Sequence, residues 1–246
     1  MKILGIIPAR YASTRFPAKA LTKIEGMPMV FRTYSQALKA GSLDKVVIAT
    51  DHEKIYYTVE KLGAQVVMTK ETHPSGTDRC AEAMDLMQNN YDYVINIQGD
   101  EPFIQPGQID ELADLLDGKV ELATLVTPVK NQDDLTNPGV MKVVINQAGF
   151  AMYFSREPIP HIRGVEKSEW IHHHRFYKHV CMYAYRVDIL KKITQLPISS
   201  LEKAESLEQL RWLENNYQIK VGVTELTSIS IDTPSDLQKA LKIYQK

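Results

Sequence analysis

Three cationic side chains share the loop PARYASTRFPAK, residues 8–19: Arg10, Arg15 and Lys19, with small residues such as Ser13 between them. Arg offers forked contacts and Lys a point charge to phosphate oxygens, while small residues let backbone N–H groups approach the same oxygens. The loop therefore predicts a triphosphate site, with a solvated surface loop as the alternative. It contains neither GKS or GKT nor GxGxxG, which argues against a P-loop NTPase and a dinucleotide-binding enzyme.

Two carboxylates end apolar, strand-like runs at distant points of the chain. Asp100 lies in NIQGDEPFI, residues 96–104, where Gly99 allows a turn, and Asp232 lies in SISIDTPSDL. Mg²⁺ on a triphosphate takes one or two protein carboxylates and otherwise keeps water and phosphate oxygens. We expect Asp100 and Asp232 to form such a pair. The alternatives are a turn aspartate at 100 and a helix N-cap at 232.

A third polar segment, HPSGTDR at residues 73–79, places Ser75, Gly76 and Thr77 just before a helix that we expect Asp78 to open. Small residues at a helix start contact a ligand or simply cap the helix. The sequence leaves both possibilities open.

Four strand-then-helix units must position these loops. The predicted strands span residues 3–7, 45–49, 65–68 and 93–97, and helices follow at 28–40 and from residues 53, 78 and 108. Near-continuous Val and Ile runs followed by amphipathic helices indicate a parallel sheet that is covered on both faces. Ligands bind beyond the carboxyl ends of such strands, where the three polar segments lie. The fold class is therefore α/β, with a doubly wound, mostly parallel sheet.

The second half predicts a smaller antiparallel α+β excursion. Strands are expected at residues 122–129, 180–185 and 219–224, with a hairpin turn at 146–149. Helices are expected at 187–195, at 200–216 and from residue 233.

Composition narrows the classes of partner. Of 246 residues 44% are hydrophobic and 24% are charged, and the formal net charge is -1. These values indicate a globular protein without the basic field that collects nucleic acid. No apolar stretch approaches the roughly 20 residues of a membrane span, and MKILGIIPAR does not fit a secretory signal. Because Cys80 and Cys181 lack metal-ligand or redox spacing, we expect a cytoplasmic protein with two thiols.

Nine segments follow the order and approximate spacing of a known family: IIPARYASTRFPAKAL, ATDH, SGTDR, NIQGDEP, MKVV, AMYFSREPIP, KHVCMYAYR, SLEQLRWLE and IDTPSDL. Together they resemble the 3-deoxy-manno-octulosonate (Kdo) cytidylyltransferases, also called CMP-Kdo synthetases, nearly from end to end. The resemblance implies a nucleotidyltransferase fold of the nucleotide-diphospho-sugar transferase-like type. It also implies the reaction of CTP with Kdo to give CMP-Kdo and pyrophosphate, which activates Kdo for lipopolysaccharide biosynthesis.

The resemblance assigns a role to each matching position. The implied contacts to the CTP phosphates, of which all but Ser13 are also catalytic, are Arg10, Ser13, Arg15 and Lys19. Ser75, Gly76 and Thr77 would border the cytosine, Asp100 and Asp232 would act in catalysis by holding Mg²⁺, and Gln98 would touch the sugar. The implied pocket for the acidic sugar comprises Arg156, His179, Tyr183, Glu208 and Gln209. A solvated helix face remains an alternative for Glu208 and Gln209, and a structural histidine remains one for His179.

The resemblance also implies a homodimer and a division of labour within one domain, 1–246. Residues 1–121 would bind CTP, 122–228 would bind the sugar and form the dimer, and 229–246 would return with the second metal ligand and a C-terminal helix. Two alternatives stay open, namely a cytidylyltransferase for a related acid, such as 8-amino-Kdo or sialic acid, and a non-catalytic regulator that binds the nucleotide.

Two features depart from the family pattern. The family usually shows Pro-Gly-Lys-Pro where this chain has PAKA, so Ala18 replaces a glycine and Ala20 a proline. If that glycine requires a positive φ, Ala18 is strained or the loop differs. The run His172–His174 cannot share one face of a helix or strand, so we expect a surface loop there and no metal site.

Overall fold

A computed structural model describes residues 1–12, 16–88 and 90–244. The chain divides into two compact units, Met1–Ala113 with Leu226–Lys246 and, between them in sequence, Asp114–Glu225. The first unit is therefore built from two separate stretches of chain. The predicted single domain with parts 1–121, 122–228 and 229–246 stays a prediction.

The strands, in chain order over the described residues, are β1 (Ile3–Ala9), β2 (Lys23–Ile24), β3 (Met27–Pro28), β4 (Lys45–Thr50), β5 (Val66–Met68), β6 (Tyr93–Asn96), β7 (Leu122–Pro128), β8 (Lys142–Ile145), β9 (Ala151–Ser155), β10 (Tyr177–Arg186) and β11 (Ile219–Val223). The helices of the same residues are α1 (Met29–Ala37), α2 (Glu53–Glu60), α3 (Gly76–Leu86), α4 (Pro106–Ala113), α5 (Gln132–Thr136), α6 (Trp170–His173), α7 (Val187–Ile193), α8 (Ser200–Glu205), α9 (Gln209–Glu214) and α10 (Pro234–Tyr244).

A parallel sheet organises the first unit, with its strands in the order β6-β1-β4-β5. The central strand β1 carries Leu4, Ile6 and Ile7, none of which has any exposed surface. Strands buried on both faces need helices on both sides, which explains the alternation of strand and helix along this part of the chain. A second core cluster includes Met29 and Phe103 together with Ile231, so the C-terminal stretch packs into this unit.

The second unit has a mixed sheet. Strand β7 pairs with β11 in parallel and with β10 in an antiparallel ladder, and β8 pairs with both β10 and β9. The turn between β8 and β9 is the predicted hairpin, where Gly149 has a φ of 79° and donates its N–H to the carbonyl of Asn146. The predicted α/β class with a mostly parallel sheet and an antiparallel excursion is confirmed.

Several predicted boundaries were wrong. The helix expected at 200–216 is two helices, because Ser206 adopts a left-handed conformation with φ 53° and ends α8. The helix expected from Asp78 begins at Gly76. The sequence analysis missed the short hairpin of β2 and β3 and the helices α5 and α6, all of which are five residues or shorter. In the described part of the chain, every helix is too short or too polar to cross a bilayer.

Candidate functional site

A cavity of about 320 Å³ opens at the carboxyl ends of β1 and β6. Its walls include five parts of the first unit, namely the end of β1, the turn after β6, the 3₁₀ turn at Lys19–Leu21, the start of α3, and Asp232. The lining includes Arg10, Lys19, Ser75, Gly76, Arg79, Gln98, Asp100 and Asp232. The cavity therefore gathers most of the predicted nucleotide-site residues that the structure describes.

Lys19 lies between the two predicted metal ligands. Its Nζ donates to Asp100 Oδ2 at 2.6 Å and to Asp232 Oδ1 at 3.0 Å. The three side chains are partly buried, with 17%, 25% and 42% of their surface exposed for Lys19, Asp100 and Asp232. Burial lowers the pKa of Lys19, but the two carboxylates outweigh it, so the pKa lies above its usual value. Lys19 is therefore a firmly charged ammonium at neutral pH.

Local backbone contacts explain how residues so far apart in sequence meet. The N–H of Ile231 donates to the carbonyl of Asp100 at 2.9 Å, which brings Asp232 beside the turn after β6. A Cβ atom at Gly99 would lie 2.9 Å from the carbonyl oxygen of Pro8, so only glycine allows this turn to approach the end of β1 so closely.

Next to Asp100, the partly buried Glu101 has one carboxylate oxygen, Oε2, shielded from solvent. Burial raises the pKa of Glu101 to about 7, and the charges of Asp100 and Asp232 act in the same direction. Asp100 and Asp232 therefore disfavour a third negative charge beside them, and a bound cation would reduce this repulsion.

Two of the helix starts near the cavity, those of α10 and α3, are capped by different residues. At α10, Asp236 Oδ2 accepts the N–H of Thr233 at 2.9 Å, and Thr233 Oγ1 accepts the N–H of Asp236 at 3.3 Å. Thr233 and Asp236 thus form a reciprocal cap next to Asp232. At α3, Ser75 accepts the N–H of Asp78 at 3.2 Å while it also lines the cavity. Capping and ligand contact are therefore compatible at Ser75.

The cationic loop is described at its two ends. Arg10 and Lys19 both line the cavity, while the predicted residues Ser13 and Arg15 lie outside the described residues. Ala18 adopts a left-handed conformation, φ 52° and ψ 32°, directly before Lys19. The conformation is the one that glycine tolerates best, which accounts for the family's usual residue at this position.

The predicted sugar residues His179 and Tyr183 lie on one face of β10. A bulge between Val180 and Tyr183 places Tyr183 opposite Thr124 of β7, where a regular antiparallel ladder would place residue 181. The rings of His179 and Tyr183 then lie 4.9 Å apart, centroid to centroid. The predicted strand 180–185 is longer than expected and begins at Tyr177, which brings His179 into it.

Thr124 fixes the tautomer of His179. The Thr124 hydroxyl donates its single hydrogen to the Met182 carbonyl at 2.7 Å and lies 2.8 Å from His179 Nε2, so it accepts from an Nε2–H. The other nitrogen, Nδ1, is then an acceptor, and it is buried without a partner among the described residues, as is the Tyr183 hydroxyl. Burial lowers the pKa of His179 to about 3 and raises the pKa of Tyr183. A neutral acceptor and a neutral hydroxyl thus stand side by side.

The other predicted sugar residues of this unit have different surroundings. The guanidinium of Arg156 donates to the backbone carbonyls of Glu205, Pro138 and Ser206 at 2.6, 3.0 and 3.2 Å. It therefore braces the turn between α8 and α9. Gln209 is 5% exposed and its Nε2 lies 3.8 Å from the sulfur of Met141, so the solvated-face alternative is wrong for Gln209. Glu208 is partly exposed and directly precedes α9.

The histidine run belongs in part to helix α6. All three side chains, His172–His174, are exposed as expected, but the first two are helical, so the predicted loop was wrong there. In the described ranges no group of three or more His, Cys, Asp or Glu side chains is arranged to hold a metal ion.

Sequence reasoning missed three side chains near the cavity. His73 and Arg79 line it, and Asp51 forms a buried ion pair with Arg79. Asp51 directly follows the apolar strand β4, just as Asp100 follows the strand β6 within a few residues. The signal that singled out Asp100 was therefore present at Asp51 as well.

Taken together, the parallel sheet and the cavity with its cations and paired carboxylates at the strand ends define a nucleotide-binding α/β protein. Comparison with known proteins narrows this class. A family model described as cytidylyltransferase matches residues 4–220. A "3-deoxy-manno-octulosonate cytidylyltransferase" of Parabacteroides distasonis is 55% identical over 246 residues, covering 98% of this chain and 97% of that protein. One of Cytophaga hutchinsonii is 50% identical over 238 residues, covering 96% and 95%.

Solved structures agree with this. That of a CMP:2-keto-3-deoxy-manno-octonic acid synthetase complexed with CTP is 37% identical, covers 100% of this chain and 99% of its own, and has a TM-score of 0.91. A 4-diphosphocytidyl-2C-methyl-D-erythritol synthase from Anaerococcus prevotii, 12% identical with a TM-score of 0.64, shares the fold. The chain belongs to the cytidylyltransferase family, and within it to the 3-deoxy-manno-octulosonate cytidylyltransferases.

Proposed function

We propose that this protein transfers the cytidylyl group of CTP to Kdo, giving CMP-Kdo and pyrophosphate, and so activates Kdo for lipopolysaccharide biosynthesis. The observation that carries the proposal is the Lys19 ammonium held by both Asp100 and Asp232 in a cavity that Arg10 also lines. A triphosphate needs such cations, and the names of the relatives supply the two substrates.

In the proposed reaction, the anomeric hydroxyl of Kdo attacks the α-phosphorus of CTP. The new bond joins the sugar oxygen to this phosphorus, and the hydroxyl proton passes to solvent. The bond from the α-phosphorus to the bridging oxygen breaks, so that pyrophosphate leaves with its electron pair. The chain's part is to position the reactants and to neutralise charge. Arg10 and Lys19, together with Arg15, would bind the phosphates, and Ser75, Gly76 and Thr77 would border the base. Thr77 is buried, so its part is to support the segment.

We further propose that Asp100 and Asp232 hold Mg²⁺. Their oxygens lie 2.6 and 3.0 Å from one ammonium nitrogen, so they already surround a single cation position, and carboxylate oxygens suit this ion. Bound Mg²⁺ would polarise the phosphate oxygens and stabilise the charge that develops on them. In that state Lys19 is available to the triphosphate, because the carboxylates have another counterion.

For the sugar, His179 and Tyr183 offer what a polyhydroxylated acid requires. The Nδ1 acceptor of His179 suits a sugar hydroxyl, and the Tyr183 hydroxyl both donates and accepts. We propose these two, with Gln98, Glu208 and Gln209, as the sugar contacts, and Arg156 as a supporting residue of the same pocket. Because Arg156 already donates to three carbonyls, its part is to hold the turn before Glu208.

The first test is a panel of CTP, UTP and ATP against Kdo, 8-amino-Kdo and sialic acid, scored by pyrophosphate release. Release with CTP and Kdo alone, or at the highest kcat/KM, is the expected result. A higher kcat/KM with 8-amino-Kdo or sialic acid would identify that acid, and not Kdo, as the substrate. CTP binding without release under any acceptor would favour a non-catalytic regulator and overturn the proposal.

We also propose a cytoplasmic homodimer. The family resemblance implies the dimer, and Met152 on β9 is 60% exposed on a strand whose partner among the described strands is β8 alone. The two cysteines without disulfide spacing suit a reducing compartment. Light scattering with size-exclusion chromatography tests the assembly, and a mass of one chain at working concentration would contradict it.

A further inference from the structure

A buried ion pair lies behind the wall of the cavity. Asp51 follows the last residue of β4, and Arg79 lies in the first turn of α3. Their side chains are 7% and 4% exposed, and Asp51 Oδ2 accepts from Arg79 Nη2 at 2.9 Å. Arg79 lines the cavity, whereas Asp51 is not among the lining residues.

The same carboxylate also holds the cationic loop. Asp51 Oδ1 accepts the backbone N–H of Tyr11 at 3.0 Å, and Tyr11 directly follows Arg10. The neighbouring His52 stacks its ring on that of Tyr11, with centroids 3.9 Å apart and planes 19° apart. Two consecutive residues after β4 therefore both hold Tyr11, the neighbour of Arg10, in place.

Arg79 is fixed from a second side. Its Nη1 donates to Thr69 Oγ1 at 2.6 Å, and the Thr69 hydroxyl donates to the carbonyl of Thr50 at 3.1 Å. The guanidinium is thus anchored to the ends of both β4 and β5.

A buried pair of opposite charges adds little net stability compared with apolar residues of the same size, so its value lies in the geometry that it imposes. One carboxylate connects the two sides of the cavity here, the loop that carries Arg10 and the helix start that carries Ser75 and Arg79. We propose that Asp51 is a positioning residue for CTP, which sets the distance between the phosphate-binding loop and the segment that borders the base. The inference rests on the proposed binding of CTP in this cavity.

The test is Asp51→Asn, in which the side-chain oxygen still accepts from Tyr11 while the amide cannot pair with Arg79. The expected result is a KM and a Kd for CTP higher by about 10-fold, with kcat within about 3-fold and the KM for Kdo unchanged. A merely structural role would instead alter both KM values together and lower the fraction of active protein. Equal changes in both KM values, or a CTP affinity within twofold of the unsubstituted chain, would overturn the proposal.

Asp44→Asn is the matched control. Asp44 accepts the N–H of Ile3 at 2.7 Å where β1 and β4 begin, at the end of these strands away from the cavity. Loss of its charge should therefore leave CTP affinity unchanged. Should Asp51→Asn fail to fold, Thr69→Val decides. This near-isosteric variant removes the hydroxyl that accepts from Arg79 Nη1 at 2.6 Å and leaves that nitrogen only the Lys70 carbonyl at 3.4 Å, so we expect a CTP-selective rise in KM of about 3-fold. No rise in a folded Thr69→Val would overturn the proposal.

Two readouts separate this inference from the proposed function. If the unsubstituted chain released no pyrophosphate with CTP and Kdo, the proposed reaction would be overturned, but the inference about Asp51 would not. Calorimetric binding of CTP, which requires no acceptor, would still report whether Asp51 controls the affinity.

Discussion

Asp100 and Asp232 share one ammonium group, and the amide variants test whether their charge matters. Asn in place of either keeps the shape and an acceptor for Lys19 but removes the charge that a cation on a triphosphate requires. We expect kcat to fall by at least about 100-fold for Asp100→Asn and for Asp232→Asn. Steady-state pyrophosphate release at saturating Mg²⁺ measures it. Glu53→Gln, an exposed position on α2, is the control, and near-normal turnover of the Asp100 variant would remove the metal assignment.

His179 should make stability depend on pH. Its folded-state pKa of about 3 lies below the ordinary 6.5, so the unfolded state binds the proton more strongly and stability is lost as the pH falls between these values. A single such group contributes about 1 kcal/mol per pH unit inside this window.

In His179→Gln this part of the slope should vanish, as measured by urea unfolding between pH 7 and pH 4. His172→Gln, at an exposed position, should leave the slope unchanged. If His179→Gln unfolds with the same pH dependence as the unsubstituted chain, His179 is not a buried neutral side chain.

At the scale of elements, the backbone of Ala18, directly before Lys19, is strained. A left-handed alanine costs roughly 1–2 kcal/mol, whereas a glycine loses about 0.5–1 kcal/mol more backbone entropy on folding. Ala18→Gly should therefore stabilise the protein by up to about 1 kcal/mol. Ala20→Gly, in the 3₁₀ turn two residues on, should destabilise it by a similar amount. Urea unfolding of the two variants gives the comparison, and a loss of stability in Ala18→Gly would contradict the strain.

The turn after β6 depends on a glycine for a different reason. Gly99→Ala would place a methyl group 2.9 Å from the Pro8 carbonyl oxygen. The end of β1 and the turn that carries Asp100 would then have to move apart. We expect a loss of about 1–3 kcal/mol in the free energy of unfolding, together with weaker CTP binding. Gly41→Ala is the control, because no atom lies within 4 Å of its added methyl group. Unchanged CTP affinity in Gly99→Ala would show that the turn has room.

Sequence patterns predicted the long helices and strands well. The elements that they missed are short or end at a single residue with an unusual backbone conformation. The four strand-then-helix units show periodicity and the hairpin at 146–149 shows a turn signal, and the structure has them all. The break at Ser206 was missed because a left-handed residue other than glycine carries no sequence signal. The short β2 and β3 were missed because two residues cannot show a period of two.

The site was predictable where its charged residues directly follow predicted strands or lie in the loops between elements. Lys19, Asp100 and Asp232 follow from charge and position, and the structure brings them together. The tautomer of His179 was not predictable, because it depends on the Thr124 hydroxyl, which donates to the Met182 carbonyl within the bulge of β10. The bracing contacts of Arg156 were hidden for a similar reason, since backbone carbonyls as partners leave no pattern in the sequence.

At the scale of the whole molecule, removal of residues 226–246 tests how far the first unit depends on its second stretch. A chain that ends at Glu225 loses Asp232 and also the core residues Ile231 and Ala240. We expect no CTP binding by calorimetry and rapid proteolysis within residues 1–113, with residues 114–225 protected because that unit is continuous. Normal CTP affinity in the shortened chain would show that the first stretch is self-sufficient.

The discontinuous first unit also has a consequence for how the protein is made. A ribosome adds roughly 5–20 residues per second, so the stretch that carries Ile231 and Asp232 emerges on the order of 10 s after residue 113 has been made. Throughout that interval the N-terminal sheet lacks the hydrogen bond from Ile231 to Asp100 and part of its core. A nascent chain therefore has no complete cavity until this stretch has been made, and the ability to consume CTP arises only after Asp232 has emerged.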